Sequence, residues 1–589
     1  MIKQGVNKWA LVLGSVLCLA LFQLYVVLVS PQVPYMDTML FLVQIDQLIK
    51  GEISWFDVYG AGEHRGFIYP VITALEWKLW RADARISTVL TGFVVTAIFF
   101  LWVRAFFLSQ NEAAKARLSG PAIFLIACFS AVIIASPAGF ELWTLSLGLA
   151  QLLKNLLIIV FLYQLAIQKM WSRSGFNALI YGVCGGLLIL FATYGWSYPF
   201  LIASVFILFA TSLYDRKYRK NAAIVFGLMA FAQCIYIYLG SGVFADSKTI
   251  STAGFPMVNI ITGFLYGAGT VFVGGELLAK WSLPVGVSIF LGSLLLLISF
   301  LSVLITLVQQ SSAKIFLCSL LVFGLTVLAG VTVARGGAEF TNTGASRYFV
   351  DYVWIFLSPL AIVFTTHALP LIDNQRYVSR HLMKVLHLSK IIMAILLALA
   401  VLSHIATWSV EYKMAPYRAA LLEAMASVYR NGVQNNDDAL LLQSPYSVAK
   451  RGVEVAQRYE LAVLGSDRPG CTLESATFSG DWYAPENERD YIRWMGKQGA
   501  IVLSKCTDVV TIKGYIPESF SQRKLQISYG GKQDVLTIVP GKEFSIGLDQ
   551  MDIRRTRVTL QLDQITSPLQ AGVSADQREL GVLLTYIGE

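Results

Sequence analysis

Ionisable and aromatic side chains gather at five points of this chain, each beside a long apolar run. The first is Pro34-Tyr35-Met36-Asp37-Thr38. A carboxylate there is either a solvated helix cap or a general base, taking the proton from a sugar hydroxyl as it attacks an anomeric carbon. The second is Gly62-Glu63-His64-Arg65-Gly66, followed by Pro70. Three ionisable residues between glycines can form a plain surface turn, but Arg offers a planar donor fork for phosphate oxygens and His a second donor. Function is the favoured reading, because the same segment carries Asp37. The third, Ser136 to Trp143, holds Glu141 between Phe140 and Trp143. That acid either caps a helix entering the membrane or accepts sugar hydroxyls while the aromatic faces cover sugar C–H groups. The fourth, Thr193-Tyr194-Gly195-Trp196-Ser197-Tyr198-Pro199, repeats the aromatic and polar mixture, which interfacial belts also contain. The fifth is Ala345-Ser346-Arg347-Tyr348, where Arg347 is a phosphate contact or a lipid-headgroup anchor.

Positioning such groups falls to membrane helices. The chain has 589 residues, is 56% hydrophobic and only 14% charged, and its apolar runs are long enough to cross about 30 Å of hydrocarbon. Eleven spans are expected, near 9 to 29, 86 to 108, 120 to 136, 144 to 167, 176 to 193, 198 to 213, 222 to 241, 283 to 308, 315 to 334, 348 to 369 and 390 to 408. The first apolar run, Trp9 to Ser30, lacks a cleavage site of the A-x-A kind and reads as a retained span. Val258 to Leu278 is apolar enough for a twelfth, but counting it would invert every later loop; its glycines suit a re-entrant or juxtamembrane helix. Lys3 and Lys8 place the N-terminus in the cytoplasm, and Lys115, Arg117, Lys169, Arg173, the run 215 to 220, Lys314, Arg376, Arg380 and Lys384 then also fall inside. All five constellations lie outside. The loop of about 55 residues between the first two spans is read as functional rather than connecting.

The formal charge of +9 follows from basic residues in short inner loops, so no nucleic-acid partner is expected. There is no Walker loop, G-x-S-x-G, H-E-x-x-H or pair of C-x-x-C. Of the histidines, only His64 lies securely in an outer loop, so no metal site is assigned. No cofactor is called for, and a role for a divalent cation, Mg or Mn, stays open.

Beyond Trp408 no run approaches membrane length. A membrane domain 1–408 is therefore followed by a mixed α/β segment 409–513 and a β-sandwich domain 514–589 with short alternating runs such as Val535 to Val539. Cys471 and Cys506, alone in a domain facing an oxidising compartment, are either one disulfide or two separate thiols.

Together, Asp37 after the first span, Glu63-His64-Arg65 before the second, Glu141, and Ser346-Arg347-Tyr348 opening a late span resemble the GT-C superfamily of polyprenyl-phosphate-sugar-dependent glycosyltransferases. More narrowly they look like bacterial proteins related to O-antigen glucosyltransferases, although Ala61-Gly62 precedes the triplet where many relatives carry His-Asn. The resemblance implies inverting transfer of a sugar, such as glucose, from a polyprenyl phosphate to a surface polysaccharide or lipopolysaccharide on the periplasmic face of a bacterial inner membrane. A small flippase and a cytoplasmic sugar-phosphate transferase would be its partners. The ending Ser574-x-Asp576-x-Arg578-x-Leu580-Gly581 looks like the last strand of jelly-roll domains attached to polysaccharide-modifying membrane proteins; Asp576 and Arg578 read as ties for that strand. In this assignment Asp37 is the base, Arg65, Arg347 and Tyr348 meet the donor phosphate, and Glu63, His64, Glu141 and Tyr194 meet sugar or acceptor. Two rivals remain: a transporter of lipid-linked glycan, which would favour ionisable residues deep in the spans and an inverted repeat, and a non-catalytic assembly factor. Neither transporter feature stands out in the sequence.

Overall fold

Apolar runs that must satisfy their own backbone do so as helices, and the computed structural model folds them that way. It describes all residues except 1, 30–32, 60–64, 113–117, 146, 240–256, 310, 336–338, 367–375, 460, 463–471, 474–475, 484–485, 487–491, 504–508, 550–555, 573, 575 and 589. The chain divides into two units, Met1–Leu422 and Glu423–Glu589.

The first unit is helical. In order it comprises α1 (Ile2–Val29), α2 (Thr38–Ile49), α3 (Trp55–Tyr59), α4 (Ile68–Trp80), α5 (Ala84–Glu112), α6 (Gly120–Ile134), α7 (Phe140–Thr144), α8 (Gly148–Tyr163), α9 (Gly175–Leu187), α10 (Ser197–Tyr214) and α11 (Arg219–Tyr238). There follow α12 (Met257–Gly269), α13 (Gly275–Lys280), α14 (Val285–Gln309), α15 (Ser312–Arg335), α16 (Phe349–Thr365) and α17 (Arg376–Asn431), whose last turns belong to the second unit. Among the described residues ten helices are long and apolar enough to cross a membrane, the build of a multi-pass membrane protein. The expected span at 198–213 differs from these ten: it forms α10, whose apolar stretch Ser197–Leu213 is shorter. The stretch from Val258 to Leu278 is not one helix but α12 and α13. Glycines explain how α12 lies against α14: a Cβ on Gly269 would run into the Ser288 carbonyl, and one on Gly292 into the Leu265 carbonyl.

The segment between the first two spans is no loop. Its run Thr38-Met39-Leu40-Phe41-Leu42-Val43 continues as α2, which buries Thr38, Met39 and every residue from Phe41 to Asp46, and α4 covers its second half.

The second unit adds α18 (Asn436–Leu441), α19 (Tyr446–Arg458) and eight strands: β1 (Thr477–Trp482), β2 (Arg493–Leu503), β3 (Val509–Tyr515), β4 (Arg523–Tyr529), β5 (Lys532–Ile538), β6 (Glu543–Asp549), β7 (Thr556–Leu562) and β8 (Val582–Gly588). They form one antiparallel sheet in the order β5-β4-β7-β2-β8-β3-β6, with β1 also on β2. A two-sheet sandwich beginning at 514 was the expectation; the sheet is instead single, nearly a barrel, and draws β1, β2 and most of β3 from before that boundary. Strand β2 makes this possible, because Arg493 to Met495 pair with β8 while Gln498 to Leu503 pair with β7. Ile501, Ile512, Ile527, Leu560 and Leu584 fill its core. The ending expected to tie the last strand holds an ion pair, Arg578 Nη2 to Asp576 Oδ2 at 2.7 Å, and a second from Arg578 Nη1 to Glu486 at 2.8 Å. Pairing with Arg578 holds the Asp576 carboxyl below its ordinary range.

Candidate functional site

Asp37 stands in the N-cap position of α2, but its side chain makes no capping hydrogen bond. The residue is exposed, and no described group is hydrogen-bonded to its carboxylate. Its neighbours hold the backbone instead. Tyr35, buried, meets Thr144 Oγ1 through its hydroxyl at 3.0 Å, and burial pushes the phenol up to about 12. Met36 adopts a left-handed φ of 56°, a conformation that costs a side-chain-bearing residue energy.

Glu141 lies in the first turn of α7. That turn is anchored on both sides: Trp143 packs on Phe22 with centroids 4.7 Å apart, and the Arg418 guanidinium lies 3.7 Å over the Phe140 ring while forming a bidentate pair with Glu411. Glu141 Oε2 accepts from Ser346 Oγ at 2.7 Å and from the Arg347 backbone N–H at 3.1 Å. One carboxylate oxygen thereby fastens the third constellation to the fifth. Oε1 takes no hydrogen bond from a described residue.

Arg347 is half-buried, with its guanidinium 5.5 Å over the Tyr348 ring and its Nε unpartnered among the described residues. Tyr194, at a φ of 39°, packs on Tyr69 with centroids 4.0 Å apart, and Phe41 flanks both rings at 6.0 and 6.3 Å. Burial raises both tyrosine hydroxyls above their ordinary range.

These pieces converge. Asp37, Glu141, Tyr194, Arg347 and Tyr348 line one cavity of about 220 Å³. The same wall carries Lys154, Arg335, Gln151, Tyr69 and Trp196, none of which the sequence reading singled out as a ligand. Lys154 is 1% exposed; its ammonium donates to Gln151 Oε1 at 2.8 Å and lies 4.6 Å over the Trp196 ring, with no carboxylate within 4 Å among the described residues. Beside it Asp351, fully buried, accepts from Asn155 Nδ2 at 2.8 Å. Gln151 also takes a hydrogen bond from the Tyr69 hydroxyl, so the aromatic wall and the buried amides form one network. A signal for both ions existed: each is the one charged side chain in an otherwise apolar helix, α8 or α16.

Arg65 goes elsewhere. It is 5% exposed, donates through Nη1 to the Tyr236 carbonyl at 3.3 Å and does not line the cavity. The Tyr236 hydroxyl accepts from Gly195 N at 3.2 Å, so Arg65 props the turn that presents Tyr194. Glu63, His64, Cys471 and Cys506 lie outside the described residues, and with them the E-H part of the triplet and the disulfide.

Three cations and two carboxylates on one wall suit an anion beside a proton acceptor. Glu141 Oε2 is committed to two hydrogen bonds, and the described residues hold no group of three or more His, Cys, Asp or Glu that could bind a metal. Comparison with protein-family models, curated proteins and solved structures finds no match to this chain.

Proposed function

We propose that the chain is a membrane glycosyltransferase of the GT-C kind, moving a hexose from a polyprenyl phosphate to a hydroxyl of a surface glycan such as O-antigen, on the periplasmic face of a bacterial inner membrane. The observation that carries this reading is the single cavity on which Asp37, Glu141, Tyr194, Arg347 and Tyr348 meet Lys154 and Arg335. The acceptor oxygen bonds to the anomeric carbon from one side as the bond to the phosphate oxygen breaks on the other. The electron pair leaves with the phosphate, and the hydroxyl proton passes to Asp37. Lipid phosphate is already a good leaving group, so a base, nearby cations and a positioned acceptor suffice. Asp37 suits the base because its oxygens are uncommitted, and Arg347, Arg335 and Lys154 suit the phosphate.

Asp37→Asn tests this. Asn keeps size and capping ability but loses the basic carboxylate, so transfer should fall by about two to four orders of magnitude at unchanged protein level in the membrane. The readout is the hexose-sized mass difference in surface glycan between cells with and without the protein. Near wild-type transfer would remove Asp37 from the chemistry.

The transporter reading gains one observation, the buried Lys154 and Asp351. Lys154 is the seventh residue of α8 and Asp351 the third of α16, so both stand within ~9 Å of a helix start, short of the ~15 Å to a bilayer midplane where carriers hold their cargo. With the helix starts taken as the membrane surface, that depth favours an enzyme. Accumulation of unflipped lipid-linked glycan in cells lacking the protein would reverse the preference.

A further inference from the structure

Glu141 lines two cavities. The second, about 280 Å³, lies among Ala138, Phe140, Tyr266, Asn342, Ser346 and Thr407. Ser346 faces this one and Arg347 the first, so consecutive residues, together with Glu141, form the partition between them.

The two cavities differ in charge. Lys154, Arg335 and Arg347 line the first, whereas among the described residues the second has no basic lining residue and Glu141 as its one acid. An anion entering the second would meet a carboxylate and no cation among the described lining residues, which disfavours a phosphate there. Hydrogen-bonding capacity is nonetheless plentiful. Tyr266 is 5% exposed, and its hydroxyl has no hydrogen-bond partner among the described residues. The Asn342 side-chain amide is likewise uncommitted, and Glu141 Oε1 remains open. A phenol, an amide and a carboxylate supply donors and acceptors together, the requirement for a ligand whose hydroxyls do both. Phe140 and Tyr266 add aromatic surface for C–H faces. The wall is also built to stay in place: Thr343 Oγ1 donates to the Gly263 carbonyl of α12 at 2.9 Å, and Gly344 meets Tyr266 so closely that a Cβ there would clash with the ring.

We infer that this second cavity binds a neutral, hydroxyl-rich saccharide, the acceptor end of the reaction proposed above, and presents it to the donor across Glu141. The identity of the saccharide as acceptor rests on the transferase reading; the binding itself does not.

The full chain in phospholipid nanodiscs is titrated with neutral oligosaccharides released by mild acid from the producing cell's surface glycan, and binding is read directly by calorimetry. Wild type should bind them. Asn342→Trp, which fills the cavity from an exposed position, should abolish binding, and Tyr266→Phe, which removes one hydroxyl, should weaken it by about five- to tenfold. Arg335→Gln, on the first cavity, should leave it unchanged. Absence of binding by wild type, wild-type binding by both second-cavity variants, or displacement of the saccharide by inorganic phosphate would each overturn the inference. Binding through this cavity in a chain that transfers nothing would sink the transferase reading alone. Transfer with an unaltered acceptor KM in Asn342→Trp would sink the inference alone.

Discussion

Lys154 is a cation whose ammonium rests on an amide oxygen and an indole face with no carboxylate within 4 Å among the described residues, and it borders the cavity. If its ammonium meets the donor phosphate, Lys154→Met keeps the apolar stem and removes a charge-assisted contact. KM for the polyprenyl-phosphate sugar should then rise about 10- to 100-fold, more than kcat falls; an unchanged KM would assign the lysine to structure. Met36 invites a second test. Its left-handed backbone costs about 1 kcal/mol that glycine would not incur, so Met36→Gly should raise the melting temperature while slowing transfer through a looser Asp37. Higher stability with full activity would show that the strained turn does not serve the carboxylate. At this scale Asp37, Glu141 and Arg347, which line one cavity, could be picked out from the sequence through their neighbours, because a lone charge among aromatics at a helix mouth is visible in one dimension. Arg65 stands apart from them: its triplet reads as a phosphate fork, and the fold sets its Nη1 on the Tyr236 carbonyl, away from the cavity lining. The bond from Ser346 to Glu141 joins residues 205 positions apart and has no local signature.

Among the helices, α4 carries its own pH dependence. Glu76 is 2% exposed, and burial pushes its carboxyl up to about 7 from an ordinary 4.5. The folded state therefore holds a proton that the unfolded chain releases, so stability is full below about pH 4.5 and falls as pH rises through 7. Glu76→Gln abolishes that slope. Thermal unfolding in detergent should show the variant matching wild type near pH 4.5 and exceeding it at pH 8, by at most about 3 kcal/mol; equal slopes would place the ionised carboxylate in contact with water. The helices themselves were largely legible from runs of apolar residues. What was not legible was α2 and α4, because twelve or thirteen residues of mixed polarity fall below span length and sit among glycines and acids that read as a loop. In the second unit the run Ala500-Ile501-Val502-Leu503 is strongly β-forming, but only pairing with both β7 and β8 shows that β2 binds the sheet into one.

For the whole molecule, orientation is the claim on which the function depends. A reporter fluorescent only in the cytoplasm should stay dark when fused after Glu589 and glow when fused after Lys220; the reverse pair would put the cavity on the wrong side for a surface glycan. The cavity also imposes an order in time. Its lining runs from Met36 to Tyr348, so more than half of the chain must leave the ribosome before Glu141 can find Ser346 and Arg347. At about 5–20 residues per second, Asp37 precedes Arg347 by roughly 15–60 s. During that interval Lys154 enters the membrane with Asp351 not yet made. Translation itself thus passes through a stage in which an unmatched cation lies in a half-built bundle, and a chain that stops short of residue 346 inherits that stage permanently, as an insertion problem for the cell rather than as a slower enzyme.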